Sequence, residues 1–249
     1  MVLKCMTDSY NAVSAISAVR PEVLPTLSFE KVSGEDAVRD VPLEAARKPG
    51  ALDYYGIVSL SMILMYSAMA ALAAVNEERE GRTIARIHVT PVSKAEILVG
   101  KMTGVMAVTI LQAFVVFFFS RFVMGTDWGT EFGSVLAVVL SQIFMCCAAG
   151  TAVGYLFRTP STGTALLQGI IPFFVFLGGG YVPLDQFGEN KVLMSLSEIS
   201  PVRWINRTLM EIIYTGSHDR LAMTLGICLG SGVLFLALSA FASKREVLA

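Results

Sequence analysis

Long apolar blocks, separated by short polar stretches, dominate the chain after residue 53. Each block has the length, about 20 residues, that an α-helix needs to cross a bilayer. The blocks run over Tyr54–Val75, Met102–Met124, Phe132–Phe157, Thr164–Val182 and Leu221–Phe241. The pattern therefore predicts an all-α polytopic membrane protein with five transmembrane helices.

The composition agrees with a membrane protein and argues against several other classes. Of the 249 residues, 54% are hydrophobic and 16% charged, and the mean hydropathy is +0.64. A soluble domain carries about 25% charged residues. The net charge is −1 and no basic tract is present, so nothing indicates nucleic-acid binding. The four cysteines show no CxxC spacing and the two histidines are far apart, so no metal site or disulfide is predicted.

The distribution of Lys and Arg predicts the orientation. Basic residues concentrate in the loop after the first span and in the C-terminal tail, and the loop between spans two and three has none. The positive-inside rule then places the C-terminus in the cytoplasm. Five spans leave residues 1–53 as an external N-terminal region, before a transmembrane domain over residues 54–249. Either the first span exports that region as a reverse anchor, or a leading helix is missing upstream; we prefer the second interpretation.

Inside the spans the polar groups are almost all neutral. Gln112, Gln142 and Gln168 lie at membrane depth. Such side chains bond across helices, which is the interpretation we prefer, or they line a substrate path. No Asp or Glu lies in the middle of a span, which argues against proton or sodium coupling. Met65 and Met69 belong to a methionine stripe that either packs the bundle or forms an adaptable cavity wall.

The segment after the fourth span predicts a break followed by short helices at the outer face. Gly179, Gly180 and Pro183 do not favour a continuing helix. The stretch from residue 192 to 214 is amphipathic on both sides of Pro201, and its Trp204 suits a membrane interface. We interpret these four glycine and proline positions as a candidate outer gate. The Asn206-Arg207-Thr208 glycosylation pattern is given no weight, because such patterns occur often by chance.

The most charged stretch, NEEREGRTIARIHVTPVSKAEILVGK at residues 76–101, lies between the first two spans. It is not a phosphate-binding loop, because Met102 follows Lys101 and Ala95 stands where the first glycine belongs. Gly81 permits a bend, Pro91 ends a short amphipathic helix, and Ser93 begins the next one. We interpret the stretch as a rigid cytoplasmic elbow with a docking surface; the alternative is a solvated loop.

Two motifs in this chain resemble the permeases of type-2 ABC exporters. EREGRT followed by TPVSKAEILVGK resembles the intracellular loop of that family, and GGGYVPLDQF with LSEISPVRWINRTL resembles its outer segment. The resemblance covers about residue 52 to the C-terminus. The family usually has six spans, so the resemblance also implies a missing leading helix.

The resemblance implies that residues 76–93 form a coupling helix that docks on a separate ATP-binding subunit. The residues that it assigns to coupling are Glu80, Gly81, Thr83, Arg86, Pro91 and Lys101. Two permeases would pair, and ATP and magnesium would be held by the partner ATPase, so this chain would bind no cofactor and catalyse no reaction itself. The expected location is a bacterial plasma membrane, and the expected cargo is a drug, lipid or peptide of apolar or amphipathic character.

Two rival functions follow from the same residues. One is a non-transporting membrane sensor or immunity subunit built on the same fold. The other is a membrane enzyme that acts on lipid, which predicts a cluster of acid, His or Ser residues at one interface. The sequence shows no such cluster, so the enzyme is the less favoured alternative.

Overall fold

The computed structural model describes residues 50–80, 94–157, 159–182 and 195–245 of the chain. The chain divides into two units, Met1–Glu44 and Ala45–Ala249. Every described residue belongs to the second unit, which contains all the predicted spans.

The described residues form a bundle of α-helices. The helices are α1 Ala51–Met65, α2 Ser67–Glu80, α3 Lys94–Phe122, α4 Phe132–Leu156, α5 Pro160–Leu177, α6 Pro201–Thr215 and α7 Leu221–Arg245. A single residue, Tyr66, separates α1 from α2. Its amide donates to the carbonyl of Ile63, and the hydroxyl of Ser67 donates to the carbonyl of Leu64 at 2.7 Å. The two helices therefore form one interrupted rod.

Five of the described segments are long and apolar enough to cross a membrane, which confirms the five predicted spans. They are Ala51–Glu77, Glu96–Phe122, Phe132–Leu156, Pro160–Leu177 and Leu221–Ser243. The fourth begins and ends several residues earlier than the hydropathy predicts. Pro160 stands in the first turn of α5, a favoured place for proline, and α5 ends just before the three glycines.

The centre of the bundle is built from α1, α2 and α4. More than half of each of the first and third spans is buried, against about a sixth of the second and the fifth. The most extensive contact in the described chain joins α7 to α4. Gly150 and Gly154 on α4 face Ala68 and Val75 on α2, where a methyl group on either glycine would overlap its neighbour. The absence of side chains on α4 therefore lets the two helices approach closely.

The two ends of the bundle have different architectures. One end, which we call the Trp128 end, contains residues 50–55, 123–131, 178–182 and 195–220. Contacts of Asp53 with Asp127 and of Tyr54 with Gly179 join its parts. The Asn76 end contains the C-terminus of α2, the start of α3 and the connection between α4 and α5. The described parts of the charged stretch, residues 76–80 and 94–101, lie at the Asn76 end.

Helix α6 is amphipathic, as the sequence predicts for this segment. It packs against α1, α4, α5 and α7 at the Trp128 end. Ile205, Leu209 and Ile212 are buried on its inner face, and Arg207 is exposed. Leu196 and Ile199, which the sequence places on the same apolar stripe, are exposed instead, because they precede the start of α6 at Pro201.

Candidate functional site

Two of the candidate coupling residues, Glu80 and Lys101, lie at the Asn76 end. Glu80 is the last residue of α2, and Lys101 lies half-buried on α3. Gly81, Thr83, Arg86 and Pro91 fall outside the described residues. Helix α3 begins at Lys94, directly after the predicted N-cap, so the expected helical entry into the second span is observed. The docking role of the elbow stays a prediction.

Gln142 of the candidate translocation path lies at the centre of the bundle. Its side chain is fully buried on α4, and its Nε2 donates to the carbonyl oxygen of Ser61 on α1 at 2.8 Å. This is the cross-helix bond expected of a buried glutamine. Gln142 Oε1 and Ser61 Oγ have no hydrogen-bond partner among the described residues. A buried oxygen without a hydrogen-bond partner lowers the free energy of unfolding, so this pair destabilises an otherwise apolar core.

The other candidate path residues occupy different surfaces. Gln112 on α3 and Gln168 on α5 are exposed on the outside of this chain. Met65 is buried with its sulfur 3.5 Å from Cys146 Sγ, and Met69 is partly buried against the same core. The chain by itself thus separates the five residues into an internal group and a peripheral group, and their role in a path stays a prediction.

The candidate outer gate contains a glycine turn at residues 178–180, held by side chains from two other helices. Ser200 Oγ donates to the carbonyl of Phe174 at 2.7 Å, and Asn206 Nδ2 donates to the carbonyl of Gly178 at 3.2 Å. From α1, the Tyr54 hydroxyl donates to the carbonyl of Gly179 at 2.8 Å. Two of these donors occupy the carbonyls of Gly178 and Gly179, which follow the last residue of α5. The third adds a second bond to the carbonyl of Phe174, which already accepts from the amide of Gly178. The turn is therefore fastened to both α1 and α6.

Each glycine of this turn lies where a side chain would be unfavourable. Gly179 has a φ of +79°, which is unfavourable for residues with a side chain. A methyl group on Gly178 would lie 2.7 Å from the side chain of Val202, and one on Gly180 would overlap Val175. The fourth span can thus end sharply and still pack against α6. Pro201 occupies the first turn of α6, and Pro183 lies outside the described residues.

The side chains that hold the glycine turn were not identified from the sequence. Tyr54 is an aromatic residue at the end of a span, where it resembles an ordinary interfacial anchor. In the sequence, Asn206 stands out only as part of a glycosylation pattern. In the structure it is 5% exposed, and its side-chain amide donates a hydrogen bond to the carbonyl of Gly178. A buried, bonded amide is no acceptor for a glycan. Their partners are distant in sequence, so only the tertiary fold reveals these roles.

Tyr181 extends the glycine turn toward the interruption in the first span. Burial and the neighbouring Tyr66 raise the pKa of the Tyr181 phenol above its ordinary value. The phenol therefore stays neutral at physiological pH. Both tyrosines are about 40% exposed, so this contact joins the turn to the helix break along an accessible face of the bundle.

Trp128 anchors the loop between α3 and α4 at the same end. Its ring is 1% exposed, lies 4.9 Å from the ring of Phe117, and its Nε1 donates to Ser120 Oγ at 2.9 Å. Gly129 follows with a φ of +65°, and a methyl group there would lie 3.0 Å from the carbonyl oxygen of Ile213 on α6. The loop is therefore a packed part of the bundle.

Comparison with known proteins agrees with this architecture. A family model described as ABC-2 family transporter protein matches residues 22–241. The chain is also similar to the linearmycin resistance permease protein LnrN of Bacillus subtilis (strain 168), with 26% identity over 167 residues. That match covers 67% of this chain and 42% of the relative, so the similarity spans less than half of the relative's length. No solved structure matches. Because the family model covers most of the chain and the five spans are present, the protein is a multi-pass membrane member of the ABC-2 transporter family.

Proposed function

We propose that this chain is the transmembrane subunit of an ATP-driven exporter. The match to the ABC-2 family over residues 22–241 carries the proposal. The charged stretch at residues 76–101 supports it, because its sequence offers charged side chains with which a separate motor subunit can make contacts. The chain itself works as the moving part and leaves ATP hydrolysis, with its magnesium, to the partner.

The partner we propose is an ATP-binding subunit that docks on the loop between α2 and α3. Glu80 and Arg86 make polar contacts with it, Gly81 supplies the bend, and Pro91 ends the coupling helix. This assignment places the Asn76 end and the C-terminus in the cytoplasm of a bacterial cell, and the Trp128 end outside. A second permease completes the transporter.

The glycine turn is the proposed outer gate. Alternating access requires the outer end to exist in a closed and an open arrangement. In the closed arrangement, Tyr54, Ser200 and Asn206 hold the turn. Motion passed along the first span from Glu80 reaches Tyr54 at the other end of the same interrupted rod. Loss of the bond between Tyr54 and Gly179 releases the turn from α1 while Ser200 and Asn206 still hold it, so the first span links the motor to the gate.

The proposed cargo is apolar or amphipathic, of the drug, lipid or peptide class. The spans contain many Met and Phe residues and few charges. The relative named as a linearmycin resistance permease supports export of a toxic compound as the general role. Gln142 and Met65 are candidates for contact with the cargo when the bundle opens.

Co-purification tests the docking surface directly. The chain is expressed with a candidate ATP-binding subunit, and the variants Gly81→Pro and Glu80→Arg are compared with Arg220→Gln, a charge change at the Trp128 end. We expect the parent and Arg220→Gln to retain the ATPase and the two elbow variants to lose most of it. Full retention by both elbow variants refutes docking at this loop. Binding without any ATP-dependent transport favours the sensor or immunity function.

A further inference from the structure

An open groove lies between α1, α3 and α4 in the half of the bundle nearer the Trp128 end. The space between its lining atoms is about 430 Å³ when the part open to the outside is included, and the lining includes Leu60, Ala113, Phe114, Phe117, Phe132 and Val139. All eleven lining side chains are apolar. The groove is separate from the glycine turn and from the buried Gln142 side chain.

The groove faces the hydrocarbon side of this membrane protein. Its outer wall is α3, in the span of which only 17% is buried, and its rim residues Phe114, Phe132 and Leu136 are each at least 40% exposed. An apolar groove at this depth is in contact with lipid tails and is shielded from water. A hydrocarbon chain suits such a lining, because a polar ligand would lose hydrogen bonds there without replacement.

A positively charged side chain, that of Arg121, lies where this groove approaches the membrane surface. Arg121 lies one helical turn beyond Phe117 and two turns beyond Phe114, so the three share a face of α3. Its guanidinium is 46% exposed, and Nη1 is 3.8 Å from Asp127 Oδ1. That distance is too long for a hydrogen bond, so the guanidinium keeps donors for an anion. An arginine at the end of a span reaches the headgroup region, where lipid phosphates lie.

We propose that this groove binds one acyl chain of a bilayer phospholipid, with its phosphate held by Arg121. Two independent features support one ligand: a wholly apolar groove at membrane depth, and a guanidinium on the same helix face at the interface. The bound lipid fills the space between α1, α3 and α4 and moves with the first span. The site does not depend on the proposed transport function.

Trp128 provides a built-in reporter for this site. It is fully enclosed and contacts Phe117, which separates it from the groove. The chain has two tryptophans, so Trp204→Phe gives a background in which Trp128 alone fluoresces. Brominated lipid tails quench tryptophan at close range. The full-length protein in detergent is titrated with phosphatidylcholine whose stearoyl chains are brominated, and Trp128 emission is recorded.

Groove-filling variants and a matched control decide whether the quencher sits in the groove. Ala113→Phe fills it from α3 and Leu136→Phe from α4, whereas Val115→Phe adds the same ring to the 61% exposed side of α3, outside the lining. Thermal unfolding of each variant verifies that the bundle is intact. We expect saturable quenching of Trp128 in the Trp204→Phe protein and in its Val115→Phe variant. At least one folded groove-filling variant should lose most of this quenching. Equal quenching in every variant overturns the proposal.

The role of Arg121 needs a separate comparison. Arg121→Gln removes the cation, and Asp127→Asn removes its acidic neighbour but keeps the cation. We expect Arg121→Gln to raise the half-quenching concentration of brominated phosphatidylcholine about three- to fivefold, the effect of one partly exposed ionic contact. We expect Asp127→Asn to leave it unchanged or to lower it.

A lipid without phosphate provides the last control. Brominated diacylglycerol is expected to quench the background and Arg121→Gln alike, because it has no group for the guanidinium. An Arg121→Gln effect of the same size with diacylglycerol contradicts the phosphate assignment. If a second copy of the chain fills the groove, brominated lipid leaves Trp128 unquenched at every concentration, which refutes lipid binding.

Discussion

Replacing Gly150 with alanine should force α2 and α4 apart at the centre of the bundle. The added methyl group would overlap the carbonyl oxygen of Ala68 and lie 2.7 Å from its carbonyl carbon and 2.8 Å from its Cα. Carbon atoms in good contact are about 3.5–4.0 Å apart, so the helices must separate by about 1 Å or more. The obstacle is backbone, which cannot rotate away as a side chain can.

The expected cost follows from two opposing terms. Overpacking a tight core costs about 1–3 kcal/mol in the free energy of unfolding. Alanine in place of glycine in a helix raises the free energy of unfolding by up to about 1 kcal/mol. The penalty for Gly150→Ala should exceed that gain, since the separation also weakens the contacts of neighbouring α2 residues with α4. A loss of about 2–4 °C in melting temperature accompanies each kcal/mol for a chain of this size.

Two further glycines provide a graded series. At Gly154 the methyl group would lie 2.9 Å from Cβ of the Val75 side chain, so Gly154→Ala should cost less than Gly150→Ala. At Gly169 on α5 an added methyl group has no neighbour within 4 Å, so Gly169→Ala should be neutral or slightly stabilising. The expected order of stability is Gly169→Ala, then Gly154→Ala, then Gly150→Ala.

The buried thiols give a direct assay for this series. Cys146, Cys147 and Cys228 are free and buried in the bundle, so a thiol-reactive dye reports their exposure on heating. Cys5 is changed to serine in every variant, which restricts the signal to these three. If Gly150→Ala and Gly169→Ala unfold at the same temperature, the close approach of α2 and α4 is refuted.

Three other substitutions test the Trp128 end by the same thermal assay. Tyr54→Phe removes the donor to the carbonyl of Gly179 and should cost about 0.5–1.5 kcal/mol. Trp128→Phe removes the bond to Ser120 and shrinks the ring, and it should cost at least about 1 kcal/mol. Gly129→Ala places a side chain at a φ of +65° and should cost about 1–3 kcal/mol. An unchanged melting temperature in any of these would contradict the contact concerned.

The transmembrane layout was predictable because the bilayer sets a length that the sequence must satisfy. The apolar blocks predict all five spans, and the three glycines after Leu177 mark the end of the fourth. The amphipathic character of α6 was also predictable, since Ile205, Leu209 and Ile212 recur at helical spacing. These features depend on local patterns that a single segment carries by itself.

The pairwise contacts could not be predicted from the sequence, because they join segments that are distant along the chain. Gln142 meets the backbone of Ser61 across 81 positions, and Tyr54 meets Gly179 across 125. The apolar groove is likewise formed by three helices, and none of its residues differs in type from those that simply face lipid. Hydropathy predicts that a residue enters the membrane, but it does not specify which neighbour that residue meets.

The central claim is that this chain receives work from a separate ATPase through the loop after α2. The most direct measurement is the rate of ATP hydrolysis by the ATP-binding subunit in proteoliposomes, with the parent chain, with Gly81→Pro and with Arg220→Gln. We predict that the parent and Arg220→Gln alter the hydrolysis rate of the isolated ATPase to the same extent and that Gly81→Pro abolishes this effect. A rate that is the same with and without the chain would contradict it.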